Sequence, residues 1–284
     1  MNQQIQFPSN PVIGQKFMGW MWSGSSWVCI GAGTNIFVFL QSATYMPSPN
    51  CQSLVVECIG GGGGAGSVAG SATLSGGGGG GGSGGYSRKA LPVGMVRGGV
   101  LVTVGAGGTG FDVNTPAGNG GQTTFGAMCV AFGGFGGEAN NLTTVGGSGG
   151  PGAPIGVGDF VQPGNDGMMG EGFVGNSVAA GFSAYLRGGT GGAGPFGGQA
   201  QASAIGPGGT FVGHTPPPNT GAGGTAGVVH QFNGSVNAVP GASGVCIVTE
   251  NIAGGDAFVE DCGGFSGARV ALGSRSWQGH GFDE

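Results

Sequence analysis

Charged side chains are scarce in this chain: Asp, Glu, Lys and Arg make up 7% of its 284 residues, and the formal net charge is −5. Because only seven residues are basic, no sizeable phosphate-binding surface is available, and we expect no nucleic-acid partner. No window holds the roughly 18 apolar residues that a membrane span requires, so we expect no membrane insertion. The start, Met1-Asn2-Gln3-Gln4, also lacks the basic and apolar regions of a secretory signal.

Cysteine spacings that indicate a disulfide framework or a zinc site are also missing. The chain has six cysteines, and no two of them form a C-x-x-C pair. Most lie in apolar, strand-like contexts, which favours free buried thiols in a protein that folds in a reducing cytosol. We therefore expect no metal and no cofactor.

A sustained 3.6-residue apolar period is absent too, so the sequence predicts almost no α-helix. Glycine is abundant instead, with 75 residues. After the apolar strand Leu54–Ile59 the chain enters one glycine run and then a second, unbroken one. These runs give the predicted scaffold glycines, which are Gly60, Gly61, Gly62, Gly63, Gly64, Gly76, Gly77, Gly78, Gly79, Gly80, Gly81 and Gly82.

Such runs are either flexible linkers or a structure that needs the absence of side chains. Flexible linkers are padded with Ser and polar residues, whereas these runs recur to residue 227 among Phe, Val, Ile and Met. We therefore interpret them as polyglycine-II-like rods, which are extended helices of about three residues per turn with no internal hydrogen bonds. Neighbouring rods of glycine can approach closely enough for their backbones to hydrogen-bond to each other.

One glycine motif suggests a nucleotide site and is rejected. Gly105–Gly110 matches G-x-G-x-x-G behind a strand, but Phe111–Gly118 cannot open a helix, so the βαβ context of a dinucleotide fold is missing.

The order of elements predicts an all-β protein with polyglycine-II-like rods. We expect a small N-terminal β-hairpin module over residues 1–33, a glycine-rich sandwich with irregular loops over 34–251, and a C-terminal appendix over 252–284. Beyond the first two runs, the predicted rods are Gly146–Gly152, Gly188–Gly198 and Gly221–Gly227. The predicted inserts between rods are Val157–Tyr185, Gln199–Ile205 and Thr210–Asn219.

The N-terminal hairpin carries three tryptophans. Trp20 and Trp22 fall on one face of the first strand, and Trp27 returns across the turn Ser23–Ser26, which suits cross-strand aromatic packing. The tryptophans are either a small core or an attachment surface for another protein. About thirty residues rarely bury a core of their own, so the two interpretations stay open.

The ordered set of motifs resembles the glycine-rich domain at the ends of bacteriophage tail fibres and related virion proteins. The resemblance is carried by the Val55–Gly64 strand and run, the closing Gly84–Lys89, Val102–Gly108, Asn119–Gly126, and the final strand Gly244–Glu250. The lead-in Phe7–Gln15 and the Trp22…Trp27 hairpin also resemble a module of phage structural proteins.

The resemblance implies a virion protein that is folded and assembled in the host bacterium. Some such adhesins pack polyglycine-II helices into a sandwich and bind the host surface through variable loops. It also implies partners: other virion or tail-fibre proteins through the N-terminal module, and a bacterial surface receptor, either protein or glycan. We further expect a homo-oligomer.

The inserts supply the candidate receptor contacts, because aromatic and polar residues on loops of a rigid scaffold are where binding usually lies. These candidates are Asp159, Phe160, Asn165, Asp166, Phe173, Phe211 and His214. Phe182, Tyr185 and Phe232 are at least as well explained as core residues that cap the rods.

Three functions are considered. The first is a non-enzymatic tail-fibre or tail-tip adhesin, and the second is a structural virion component such as a head decoration or tail accessory protein. The third and weakest is a polysaccharide depolymerase that uses the pair Asp159/Asp166 or Glu260/Asp261 as acid and base. The sequence contains no periodic apolar coils of a sugar-degrading β-helix.

Overall fold

The computed structural model describes Pro8 and residues 10–13, 15–17, 20–22, 25, 27–29, 33–69, 74–110, 117–140, 146–174, 186–199, 204–205, 210–229 and 234–252. The chain divides into two compact units, Thr34–Ile252 and Met1–Gly33 with Ala253–Glu284. Within the described residues, the single helical turn is the 3-10 helix Val93–Met95, and the strand Cys51–Ile59 pairs antiparallel with both Tyr86–Pro92 and Val245–Ile252. The predicted all-β fold is confirmed.

The first unit contains a small antiparallel sheet with strand order β1-β2-β3. Its strands are β1 (Lys16–Phe17), β2 (Trp20–Trp22) and β3 (Trp27–Cys29). Trp22 is the register partner of Trp27, and Trp20 that of Cys29. The backbone N–H of Trp22 also donates to Gln15 O at 2.8 Å. The hairpin predicted for the tryptophan segment is therefore present in the backbone pairing.

A β-sandwich begins the second unit. One sheet has the order β12-β8-β6-β18-β4, and its strands are β4 (Gly33–Phe39), β6 (Cys51–Ile59), β8 (Tyr86–Pro92), β12 (Phe160–Gln162) and β18 (Val245–Ile252). The other has the order β11-β10-β9-β5, and its strands are β5 (Ala43–Tyr45), β9 (Val100–Thr103), β10 (Thr123–Phe125) and β11 (Cys129–Ala131).

The core of the sandwich follows from the alternation of its strands, which places every second side chain inward. Its members include Tyr45, Leu54, Val56, Val102 and Phe125, all at most 1% exposed. Four of the cysteines are free and buried, as predicted: Cys51, Cys58, Cys129 and Cys246. Cys262 lies outside the described residues.

Most of these strands run directly into glycine-rich segments that are stabilised by bonds to neighbouring segments. Hydrogen bonds define ten such rods, numbered 1 to 10 in chain order: 60–68, 77–85, 105–110, 117–121, 132–140, 146–153, 164–171, 188–194, 221–227 and 236–244. At about 3.1 Å per residue, the nine residues of rod 2 span roughly 28 Å.

Rod 2 shows the threefold period of a polyglycine-II helix. The N–H groups of Gly79, Gly82 and Gly85 donate to rod 5. The residue before each of these donates to rod 9, and the residue before that donates to rod 7, all at N···O distances of 2.7–3.2 Å. Its carbonyl groups accept from rods 6, 8 and 1 with the same period. Rod 2 thus has six hydrogen-bonded neighbours, one for each donor and acceptor direction of its three-residue turn.

Rod 1 has six neighbours as well: it donates to rods 2, 4 and 10 and accepts from rods 3, 5 and 9. The eight other rods form a closed ring in the order 3-4-5-6-7-8-9-10, because each is hydrogen-bonded to the next and rod 10 to rod 3. The pairing gives a lattice with rows of three, four and three rods. The two rods at its centre are the two glycine runs of Leu54–Gly85.

The inner rods are completely buried, and a side chain at their glycines would overlap a neighbouring backbone. A Cβ built on Gly79 would lie closer than 3.0 Å to Ser148 O, and one on Gly81 equally close to Gly63 O. The scaffold glycines from Gly60 to Gly64 all show the same overlap.

In outer rods, the side facing solvent carries side chains. Rod 7 has glycine at 164, 167 and 170, whereas Met168 and Met169 between them are 62% and 61% exposed. Rod 5 exposes Phe135 and Glu138, which have the same three-residue spacing. The depth of a rod in the bundle therefore sets how much of it must be glycine.

Two details of the predicted rods are wrong, and four rods were not predicted. Residues 164–171 form a rod inside the predicted insert Val157–Tyr185. The rod predicted over Gly188–Gly198 ends at Gly194, where a turn bridges Gly194 to Gly197. Rods 3, 4, 5 and 10 were not predicted from the sequence.

Within the described residues, no helix is long and apolar enough to span a membrane.

Candidate binding surface at the loop end of the rods

The direction of the rods alternates along the chain. Odd-numbered rods leave the β-sandwich and even-numbered rods return to it; for example, β6 runs into rod 1, and rod 2 runs back into β8. The five connections from an odd rod to the next even rod therefore lie at one end, opposite the sandwich. We call this the loop end; the described residues that border its connections are Ala69 and Leu74, Gly110 and Ala117, Asn140 and Gly146, Val174 and Leu186, and Val229 and Gly234.

A short sheet fixes the backbone at the loop end. Its order is β13-β7-β17-β16, with β7 (Leu74–Gly77), β13 (Gly172–Val174), β16 (Thr210–Phe211) and β17 (Val228–Val229). A second pair joins β14 (Leu186–Arg187) to β15 (Ala204–Ile205). These pairings continue the rod bundle into strands before the chain turns.

Small apolar clusters close the bundle beneath the connections. Val68, Val229 and Val236 pack together at 0–4% exposure, and Leu186 packs on Val228. Asn140, 3% exposed, is held by its backbone between Ser67 O and the N–H of Ala69. The ends of the connections are therefore anchored on well-packed, hydrogen-bonded backbone.

Phe211 and His214 are the two predicted contacts whose side chains the structure brings together. Phe211 lies in β16 at the loop end and is 40% exposed, and its ring centroid is 5.6 Å from that of His214. His214 is exposed, while its carbonyl accepts from Thr225 N–H of rod 9 at 3.2 Å. Pro216, two residues after His214, is buried.

This segment covers rod 9. Val212, between Phe211 and His214, is 62% exposed and was not selected from the sequence. Alternation alone cannot reveal it, because the segment lies on a rod and not in a regular sheet. Phe211, Val212 and His214 are all exposed on this segment.

Asp159 and Phe160 lie at the sandwich end. Phe160 begins β12, opposite Arg88, and is 59% exposed. Asp159 accepts from Ala90 N–H at 2.9 Å and pairs with Lys89 at 3.2 Å. The Ala90 hydrogen bond and then Lys89 lower the pKa of Asp159. This carboxylate stays ionised and orders the sandwich edge.

Asn165 and Asp166 belong to rod 7, so their prediction as loop residues is wrong. Both are exposed, but each is bound to a neighbouring rod. Asn165 Nδ2 donates to Ala193 O at 2.7 Å, and Asp166 Oδ1 accepts from Gly152 N–H at 2.7 Å. The glycine spacing at 164, 167 and 170 is the sequence signal that identifies this rod.

The remaining candidates are dispersed. Phe173 lies in β13 as the register partner of Ser75, at the loop end. Trp20, Trp22 and Trp27 belong to the other unit. Phe182, Tyr185, Phe232, Glu260 and Asp261 lie outside the described residues. Across the described ranges, no group of three or more His, Cys, Asp or Glu side chains is placed to hold a metal ion.

These features define an all-β protein in which a bundle of packed glycine rods carries five connections at one end. The chain belongs to a glycine-rich domain family, whose model matches residues 39–250. That range contains all ten rods and the strands of the sandwich from β5 to β12, and it ends within β18. No curated protein matches the chain.

Proposed function

We propose that this protein is a non-enzymatic bacteriophage virion protein, a tail-fibre or tail-tip adhesin that binds the host cell surface through the loop end. The observation that supports this function is the alternation of the rods, which gathers five connections at one end of a rigid bundle. Binding residues are commonly carried by loops on such a scaffold, because the scaffold limits the entropy lost on binding.

The two ends of the second unit differ in a way that suits this function. At the sandwich end most rods continue directly into strands, for example β9 into rod 3 and rod 10 into β18. At the loop end each odd rod and the even rod that follows it are joined by a connection that is not one of the ten rods. Side chains are excluded at the buried glycines of the rods, so we expect sequence to vary more freely in the connections.

Asp159 and Asp166, one of the two carboxylate pairs considered for a depolymerase, have structural partners instead. A general acid needs a raised pKa, whereas Asp159 is held ionised by Ala90 N–H and Lys89. Asp166 satisfies the N–H of Gly152 at the edge of the lattice. These roles support a function without catalysis.

The test is binding of the purified, fluorescently labelled full chain to cells of the bacterial host, together with its ability to block phage adsorption. We expect saturable binding that Phe211→Ala with His214→Ala weakens. Phe160→Ala is the matched control, because Phe160 is an exposed aromatic residue at the opposite end.

Failure of the protein to bind host cells while it is present in the particle would favour the structural virion component. Equal loss of binding in Phe160→Ala would place the contact surface away from the loop end. Release of reducing sugar from host envelope, abolished by Asp159→Asn or Asp166→Asn, would favour the depolymerase.

A further inference from the structure

Strand β4 lies at one edge of the five-stranded sheet and is unusually apolar for an edge. Ile36, Val38 and Leu40 alternate along β4 and the residue after it, and they are 64%, 57% and 52% exposed. The intervening Phe37 and Phe39 turn inward and pack on the core, with ring centroids 5.8 and 6.4 Å from Tyr45. Both faces of this edge are therefore apolar.

The usual protection of an exposed edge strand is missing from β4. Soluble proteins blunt such edges with charged side chains, proline or bulges, because a free edge is a template for pairing with another chain. Residues 33–56 contain no charged residue, and β4 itself contains no proline. At seven residues, β4 is also longer than most strands of this protein.

The sequence of the edge is symmetric about Val38. Reading outward in both directions gives phenylalanine and then a branched aliphatic residue: Phe37 and Phe39, then Ile36 and Leu40. An antiparallel pair of two identical strands related by a two-fold axis places residue i opposite residue j and j opposite i. Centred on Val38, such a pair sets Val38 against Val38, Ile36 against Leu40, and Phe37 against Phe39.

We propose that β4 is a homodimer edge, which pairs antiparallel with β4 of a second copy about Val38 and joins two five-stranded sheets into one. In this register the cross-strand pairs from Ile36 to Leu40 are all apolar, on the outer face and on the core face alike. Cross-strand aliphatic and aromatic pairs stabilise antiparallel sheets, and pairing satisfies the backbone groups of the edge. A partner with a different sequence would need the same pattern, whereas a second copy supplies it by symmetry. The proposal is independent of host binding.

The experiment is analytical ultracentrifugation of the full chain across a concentration series, with Val38→Lys as the test variant. We expect a dimer for the natural sequence. In Val38→Lys two ammonium groups would meet on the two-fold axis, and we expect the dimer dissociation constant to rise more than about 100-fold. Leu101→Lys is the matched control, because Leu101 is 62% exposed on β9 of the other sheet; it should leave the dimer intact.

A second measurement fixes the register. In Val38→Cys, mild oxidation should give a disulfide between position 38 of two copies, identified by peptide mapping, whereas Leu101→Cys should not cross-link. Thermal unfolding of each variant verifies that the fold is kept. A monomer at all concentrations, an oligomer that Val38→Lys leaves unchanged, or a cross-link in Leu101→Cys alone would each overturn the proposal, as would a β4 edge found paired only with a different protein.

Discussion

Tyr45 Oη donates a 2.6 Å hydrogen bond to Glu250 Oε1, and both side chains are buried in the sandwich. The same carboxylate accepts from Ser48 N–H at 2.9 Å and from Asn35 Nδ2 at 3.4 Å. Glu250 thus joins the last strand to β4, to β5 and to the segment after β5 without a basic partner among the described residues.

Replacing Glu250 with alanine should destabilise the sandwich. The change leaves the buried Tyr45 hydroxyl and the Ser48 N–H without an acceptor, which we expect to cost about 3 kcal/mol in the free energy of unfolding. Urea unfolding at neutral pH measures it. Glu250→Gln, which keeps one acceptor oxygen, should lose less; equal losses would show that the volume of the side chain matters and not its oxygens.

The same carboxylate should make stability depend on pH. Burial alone raises the pKa of Glu250, but hydrogen bonds from Ser48, Tyr45 and Asn35 outweigh it and hold the pKa below its usual value. The folded state therefore binds this proton less tightly than the unfolded state, so the stabilisation is present above the usual glutamate pKa. It is lost as pH falls through the lowered value. Melting temperatures measured from pH 7 downward should fall less steeply in Glu250→Gln than in the natural sequence.

Gly79→Ala should prevent folding of the rod bundle. The added Cβ would overlap Ser148 O in a rod that is surrounded on six sides, so no side chain can move to accommodate it. We expect a loss of more than about 3 kcal/mol, beyond the effect of ordinary surface changes. The control is Gly98→Ala, where nothing lies within 4 Å of a built Cβ. A folded Gly79→Ala protein with unchanged urea midpoint would contradict the lattice.

Rod 7 allows a test of the threefold period at two adjacent residues. Gly167→Ala places a Cβ against Gly80 O and should be strongly destabilising. Met168→Ser, at the next position, removes a side chain that is 62% exposed and should change stability by less than about 0.5 kcal/mol. Chemical unfolding of both variants compares them directly. Similar losses at the two positions would rule out a rod over 164–171.

Deletion of residues 1–33 should leave the second unit folded, because residues 34–252 form a compact unit of their own. We expect its thermal unfolding to remain cooperative. Under the attachment hypothesis for Trp20, Trp22 and Trp27, the shortened protein should also fail to join the virion. Incorporation at the normal level would refute that hypothesis.

Much of this architecture follows from sequence because inner rods impose an extreme requirement. The runs at Gly60–Gly64 and Gly76–Gly82 tolerate no side chain, so they are conspicuous, and they prove to be the two central rods. Outer rods need glycine only where they face inward. Rod 7, with glycine at every third position, therefore resembles a polar insert, and rod 10 buries Val236, Val239 and Ala242 instead of glycine.

Which candidate contact residues lie at the same end of the rods is harder to predict from the sequence. Asp159 and Phe211 look alike as residues of inserts, yet they lie at opposite ends of the rods. Their position depends on whether the preceding rod leaves or returns to the sandwich, which requires every rod to be counted. Because rods 3, 4, 5, 7 and 10 were not predicted, the sequence interpretation does not show which end of the bundle a residue occupies.

The three-residue turn of the rods has a consequence for how such a chain can change length. Deleting one residue inside rod 2 would rotate every following position by a third of a turn. Each N–H group would then point at a different neighbouring rod, and the rod would no longer be aligned with the strand of the sandwich that it joins. Only whole turns of three residues could be added or removed, and neighbouring rods would have to change with them. A connection at the loop end is under no such constraint. We therefore expect the length of a rod to change only in multiples of three residues, whereas the length of a connection at the loop end can change by one residue.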